Sequence, residues 1–256
     1  MRFILFFLIP SVAYSITNIE AQRRPGLPEQ GLGGSLAVAA EGQHGNVREE
    51  DYLFNARLQY RQQDNIYLGI AQRAYGSTRG LADTDSSFAH ARWTHLFTQT
   101  WASEVFSQWE EDRFDNLTSR SLIGGGARRV LLDKEAEYNL ALGLGAFYER
   151  EELDLSNFNE VNYTVRINSY LTYQHQLNDN VSINSTVYYQ PSLDDLDDTL
   201  GLLTFGLNVK LTDALSLDVS YQANYDSQPA ENLDVDPVIE SERLNGQYRT
   251  GLVYQF

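Results

Sequence analysis

Residues 215–225 read Leu-Ser-Leu-Asp-Val-Ser-Tyr-Gln-Ala-Asn-Tyr: Leu215, Leu217, Val219, Tyr221, Ala223 and Tyr225 alternate with Ser216, Asp218, Ser220, Gln222 and Asn224. Successive side chains of an extended chain point to opposite faces, so this run is a strand with one apolar and one wholly polar face. Strands of soluble sandwiches usually run about 5–6 residues, and this one is close to twice that. Its length suits a tilted strand crossing a bilayer, which needs about 9–11 residues.

The same period of two extends in both directions. Val161, Tyr163, Val165, Ile167, Leu171 and Tyr173 oppose Asn162, Thr164, Arg166 and Asn168. Leu244, Tyr248, Leu252, Tyr254 and Phe256 oppose Asn245, Gln247, Arg249 and Gln255. Residues 52–60, 138–148, 181–189 and 203–209 follow the rule, and weaker segments lie near 35–43, 66–75, 87–95, 101–109 and 120–130. That makes twelve, an even number, as a closed antiparallel barrel with both termini on one side requires. The expected fold is all-β: an antiparallel transmembrane β-barrel of about twelve strands in meander order.

The polar faces carry Arg57, Arg73, Arg92, Arg166 and Arg249, which a barrel would turn toward its lumen. There they would line a narrow permeation path, or pair with Glu104, Asp218 and polar neighbours and plug the interior. Plugging is the stronger reading, because twelve strands fall between filled eight-stranded barrels and open porins of sixteen or more. Aromatics recur at segment ends, as Tyr52 and Tyr60, Trp101 and Trp109, Tyr138 and Tyr148, and Tyr163 and Tyr173, the spacing of two interfacial girdles.

Connections alternate between short (61–65, 95–100, 131–137, 174–180, 210–214) and long (44–50, 76–86, 110–119, 149–160, 190–199, 226–243). The long set holds 23 of the 35 acidic residues and five arginines, so a chain of net charge −16 concentrates its acidity at one rim. Asp194, Asp195, Asp197 and Asp198 form one cluster there, and Glu149, Glu151, Glu152 and Asp154 a second. Such clusters are mostly solvated surface; as sites they would hold a divalent cation loosely, since hard cations take several carboxylate oxygens and no ordered calcium loop is present. An acidic rim repels phosphate and so excludes nucleic acid as a partner.

At the N-terminus, Met1-Arg2, the apolar stretch Phe3 to Val12 and Ala13-Tyr14-Ser15 read as a signal peptide over residues 1–15. A cut after Ala21 is the alternative. Residues 16–33, with Arg23-Arg24-Pro25 and several glycines, read as a flexible periplasmic leader, and 34–256 as the barrel.

Enzymatic constellations find no support. There is no cysteine, no Gly-x-Ser-x-Gly, no His-Glu-x-x-His and no P-loop. Of His44, His90, His95 and His175, only His44 lies at the long-loop rim, between turn-forming residues. No cofactor is expected.

Several segments together resemble one bacterial family. These are Gly34 to Tyr60 with Gly45-Asn46, then Trp109-Glu110-Glu111-Asp112-Arg113-Phe114 with Leu117, Arg120 and the glycines 124–126, and finally Tyr225-Asp226-Ser227-Gln228-Pro229 before a last strand ending Tyr254-Gln255-Phe256. The chain is similar over almost its whole mature length to the domain of unknown function 481 family, described as salt-induced outer-membrane proteins. It departs from the family pattern at His44-Gly45-Asn46-Val47, where a Ser-Gly-Asn-Thr type of turn is more usual. The resemblance implies the outer membrane of a Gram-negative bacterium, with outer-membrane lipids and lipopolysaccharide as partners. Tyr248, Leu252, Tyr254 and the terminal Phe256 resemble the signal that the barrel assembly machinery reads. The function expected is a non-enzymatic barrel serving envelope integrity or salt adaptation; the alternatives are a narrow passive channel and, more weakly, a lipid hydrolase.

Overall fold

The computed structural model describes residues 17–20, 23, 27–44, 48–115, 117–134, 137–154, 159–212, 215–229 and 242–254. They form one antiparallel meander, each strand paired with the next. The strands are β1 (Gly31–Gln43), β2 (Glu49–Gln62), β3 (Asn65–Thr78), β4 (Leu81–Leu96), β5 (Trp101–Asp112), β6 (Leu117–Lys134), β7 (Tyr138–Asp154), β8 (Asn159–Asn178), β9 (Val181–Pro191), β10 (Thr199–Lys210), β11 (Leu215–Asp226) and β12 (Leu244–Tyr254). All twelve segments read from the sequence are strands. A 3-10 turn, Arg113–Asp115, follows β5.

Several strands run further than the apolar alternation. β7 continues to Asp154 and β8 starts at Asn159, so most of the expected 149–160 loop is paired strand. The expected 76–86 loop is a two-residue turn, with Arg79 at φ 55° and Gly80 at φ 79°. Two successive positive φ values are those of the hairpin turn whose twist matches its strands. Where both faces of a strand are wet, apolar alternation stops while backbone pairing continues, which is why these extensions carry no hydrophobic signal.

The sheet is apolar outside and polar inside. Leu36, Val38, Leu58, Ile123, Leu144 and Leu252 are exposed, whereas Arg57, Arg92, Glu104, Arg120, Glu149 and Arg166 are buried. A water-soluble domain of this size would place these two sets the other way round. Outward aromatics collect at the two ends of the strands. Tyr52–Tyr75 and Tyr148–Tyr163 pair at the long-loop end, with centroids 6.5 and 6.3 Å apart. Tyr60–Tyr67 stack at 6.3 Å at the other end, where Arg129 lies over the Trp101 ring at 5.0 Å. From Tyr52 to Tyr60 the strand rises roughly 27 Å, close to the height of a lipid-facing apolar band after tilt.

The inner face is concave, because one short segment touches distant strands at once. Glu20 pairs with Arg92 on β4 and Arg128 on β6, and its backbone N–H donates to the Tyr188 hydroxyl on β9 at 3.3 Å. Asn18 donates to Thr204 on β10 at 2.8 Å. The wall therefore curls around residues 17–20 and 23, with β1 and β12 at the two ends of the strand order.

Candidate functional site

The lumen is occupied by the chain's own N-terminal segment. Ile19 packs with Leu68, Ile70 and Phe88, a small apolar patch on the inner face. Thr17 Oγ1 donates to Glu110 at 3.3 Å. Nearer the short-turn rim, the Pro28 carbonyl accepts from Arg61 at 2.7 Å and Gln30 Oε1 accepts from the Gln63 backbone N–H at 2.9 Å. The described residues thus run from Thr17, nearest the long-loop end, to Gln30 at the short-turn rim, where the chain turns at Gly31, whose φ of 97° favours glycine, into β1.

Its centre is Glu20, 1% exposed. The carboxylate meets Arg92 Nη1 at 2.8 Å, Arg23 Nε at 3.1 Å and Arg128 Nη1. The Arg23 contact is a charge pair not aligned as a hydrogen bond. Glu104 on β5 completes the group, pairing with Arg23 and with Arg92 at 3.3 Å and accepting the Tyr170 hydroxyl at 2.9 Å. Burial alone would raise the Glu20 carboxyl, but Arg23, Arg128 and Arg92 outweigh it and hold its pKa below the ordinary carboxylate value.

A second ion group lies toward the long-loop end. Arg120 donates to Glu149 through Nε at 2.7 Å and to Glu110 through Nη1 at 2.9 Å. Arg166 meets Glu149 at 3.4 Å and grips Asp198 with two parallel bonds of 3.0 and 2.9 Å. That fork draws the 192–198 connection inward, where Ser192 forms a bridge with Arg166. Glu151 and Asp226 lie within electrostatic reach of both arginines.

A small residue makes room for this packing. A Cβ at Gly143 on β7 would overlap the Tyr170 ring, whose hydroxyl carries Glu104 and accepts from Arg128 at 3.2 Å. Gly143→Val is expected to push Tyr170 aside and lower stability by about 1–3 kcal/mol, the usual cost of overpacking. Gly69→Ala, which meets nothing within 4 Å, should leave the urea midpoint unchanged in the same titration.

Of the expected lumen arginines, Arg57, Arg92 and Arg166 are inward and buried. Arg57 donates to Gln59. Arg73 is a correction: it sits opposite the exposed Phe54 and faces outward, bonded to Ser87 at 3.0 Å and paired with Asp85. The polar-inside rule reverses on β3 because Leu68 and Ile70 turn inward to meet Ile19. Arg249 stands opposite Ser220 in β12.

The two acidic clusters also part company. Glu149 is buried between two arginines, while Glu151, Glu152 and Asp154 lie on β7, and Glu152 pairs with Arg150 at 2.8 Å. Asp198 holds Arg166, and Asp195 accepts the Asp197 backbone N–H at 3.0 Å. Among the described residues no group of three or more His, Asp or Glu is disposed to hold a metal ion. Tyr248 and Leu252 are outward and exposed on β12 with Tyr254 at its end, and Phe256 lies outside the described residues.

The leader differs most from expectation. Residues 17–20 and 23 are lumen filling, and Gly31–Gly33 already belong to β1. Glu20, Arg128 and Tyr188 were not singled out from the sequence, and Arg23 was read with Arg24, Pro25 and the glycines as linker composition. The available signal was Ile19-Glu20, an apolar and an acidic residue three positions ahead of Arg23-Arg24.

No curated protein matches the chain. Among solved structures it is similar to a NanC porin in a rhombohedral crystal form, at 12% identity over 87% of this chain and 100% of that one, with a TM-score of 0.48. The model of the family described as "Protein of unknown function, DUF481" matches residues 36–256, from the middle of β1 to the end of the sequence, and the chain belongs to that family.

Proposed function

We propose that the protein is a non-enzymatic outer-membrane β-barrel kept closed by its own N-terminal segment. The observation that carries this reading is Glu20, buried at the centre of a three-arginine group inside a wall whose outer face is apolar. A closed barrel with an acidic rim suits a part in envelope integrity or salt adaptation. The short-turn end would face the periplasm and the long loops the outside, where their carboxylates would raise local cation concentration beside lipopolysaccharide. Outer-membrane lipids and, during insertion, the barrel assembly machinery are its expected partners.

A narrow cation path is the second reading. Near the long-loop end, five carboxylates (Glu110, Glu149, Glu151, Asp198 and Asp226) face two guanidiniums, Arg120 and Arg166. Planar-bilayer recording separates the two readings. The closed barrel predicts a folded, heat-modifiable outer-membrane protein that stays silent; steady cation-selective steps from the wild type would replace it with the channel.

A further inference from the structure

The outer wall is not evenly covered by large side chains. Gly69 on β3, Ala91 on β4 and Ser107 on β5 stand opposite one another across the strands and floor a hollow of about 450 Å³. Leu58 and Ile123 flank it, and Tyr67, Trp93 and Val105 stand toward its short-turn end. There, Gly125 lies opposite Val105 and Ala127 opposite Ser103, so a low strip continues down β5 and β6 to Trp101. An unfilled hollow forfeits dispersion contacts on every side.

The strip ends at a cation. Arg129 is exposed opposite Trp101, with its guanidinium over the indole ring at 5.0 Å. The other outward arginines, Arg73 and Arg150, pair with Asp85 and Glu152. Among the described residues no carboxylate forms an ion pair with Arg129. A guanidinium with its charge uncompensated at the edge of an apolar band is complementary to a phosphate. From Trp101 to Ser107 the strand rises roughly 20 Å, or about 15 Å of height after tilt. That is half of the ~30 Å hydrocarbon core, the depth of one leaflet.

We propose that this face holds one anionic glycerophospholipid, its phosphate against Arg129 and an acyl chain along the strip into the hollow over Gly69, Ala91 and Ser107. The site rests on the outer-membrane reading and its orientation, in which the short-turn end meets the periplasmic leaflet. Lipopolysaccharide, at the long-loop end, is on the wrong side to reach Arg129.

The chain's three tryptophans provide the test. Trp109→Phe leaves Trp93 and Trp101, both exposed beside the strip. The full-length protein, with and without that change, is reconstituted in phosphatidylcholine vesicles carrying chain-brominated phosphatidylglycerol or chain-brominated phosphatidylcholine at equal mole fraction. Bromine quenches tryptophan fluorescence on contact. Phosphatidylglycerol should quench the more strongly, with a relative affinity of about two- to fivefold, as one ion pair at a membrane surface confers. Arg129→Gln, which removes the charge, and Ala91→Leu, which fills the floor, should each abolish the preference, whereas Arg129→Lys should keep it. Equal quenching by the two lipids overturns the proposal in the unsubstituted site alone, whatever the variants' folding. So does a preference that survives Arg129→Gln or Ala91→Leu in a folded, heat-modifiable barrel. A protein that inserts as a heat-modifiable barrel and shows no preference loses this site and keeps the outer-membrane reading; one that fails to insert loses both.

Discussion

Glu20→Gln is expected to release the N-terminal segment from the lumen and turn a silent barrel into a conducting one. The substitution keeps the shape and removes the charge, leaving Arg23, Arg92 and Arg128 with Glu104 as their remaining carboxylate partner. Breaking a buried ion group by removing one member costs about 3–5 kcal/mol, because the charges left behind stay desolvated. The segment has a few other anchors, including the Ile19 packing and the bonds of Thr17 and Asn18. A loss of that size is comparable with what they supply, so the seated state should lose its dominance. Single-channel recording reads the result as steps absent from the wild type. Acid should act in the same direction: the folded pKa of Glu20 is depressed, so its contribution is complete above the ordinary carboxylate range and disappears as pH falls below it. Conductance that stays silent at mildly acidic pH and appears only in stronger acid is the expected profile.

The second large effect is Glu149→Ala. Glu149 is 3% exposed and shared by Arg120 and Arg166, so its loss takes a partner from two buried guanidiniums at once, at about 3–5 kcal/mol. Glu152, three residues along the same strand, pairs with Arg150 where both side chains meet solvent, and such exposed pairs contribute little. Urea unfolding of the two alanine variants should show a large drop in midpoint for Glu149 and almost none for Glu152. Equal effects would mean that the inward ion group is not a structural element of the wall.

Both residues looked alike in the sequence, and the reason shows what sequence can carry. A period of two assigns faces only where one face is apolar. It located every strand because the bilayer-height portions alternate, as in Leu215 to Tyr225. Beyond that height, as in Glu149 to Asp154, both faces are polar and the pattern cannot distinguish a lumen carboxylate from a solvated one. β3 failed for a related reason: its inward residues are apolar to receive Ile19, so Arg73 was assigned to the wrong side. The plug itself was least legible, since residues as few as Thr17 to Glu20 and Arg23 show no period. Its place is set by charge pairing with residues 72 and 108 positions away in sequence. The sequence offered Glu104 as a partner for the lumen arginines, and Arg92 lies 3.3 Å from it. What that reading lacked was Glu20, the carboxylate that brings Arg92, Arg128 and Arg23 together.

The absence of native cysteine permits a direct test of the seated segment. Asn18 and Thr204 touch across the lumen at 2.8 Å although they are 186 positions apart in sequence, and both can be replaced by cysteine in the full-length chain. In isolated outer membranes, mild oxidation should join the two thiols within one chain, shifting its mobility on a non-reducing gel, and neither thiol should then react with a maleimide. Two free, fully labelled thiols in a folded, heat-modifiable barrel would show that the segment lies elsewhere and would contradict the closed barrel.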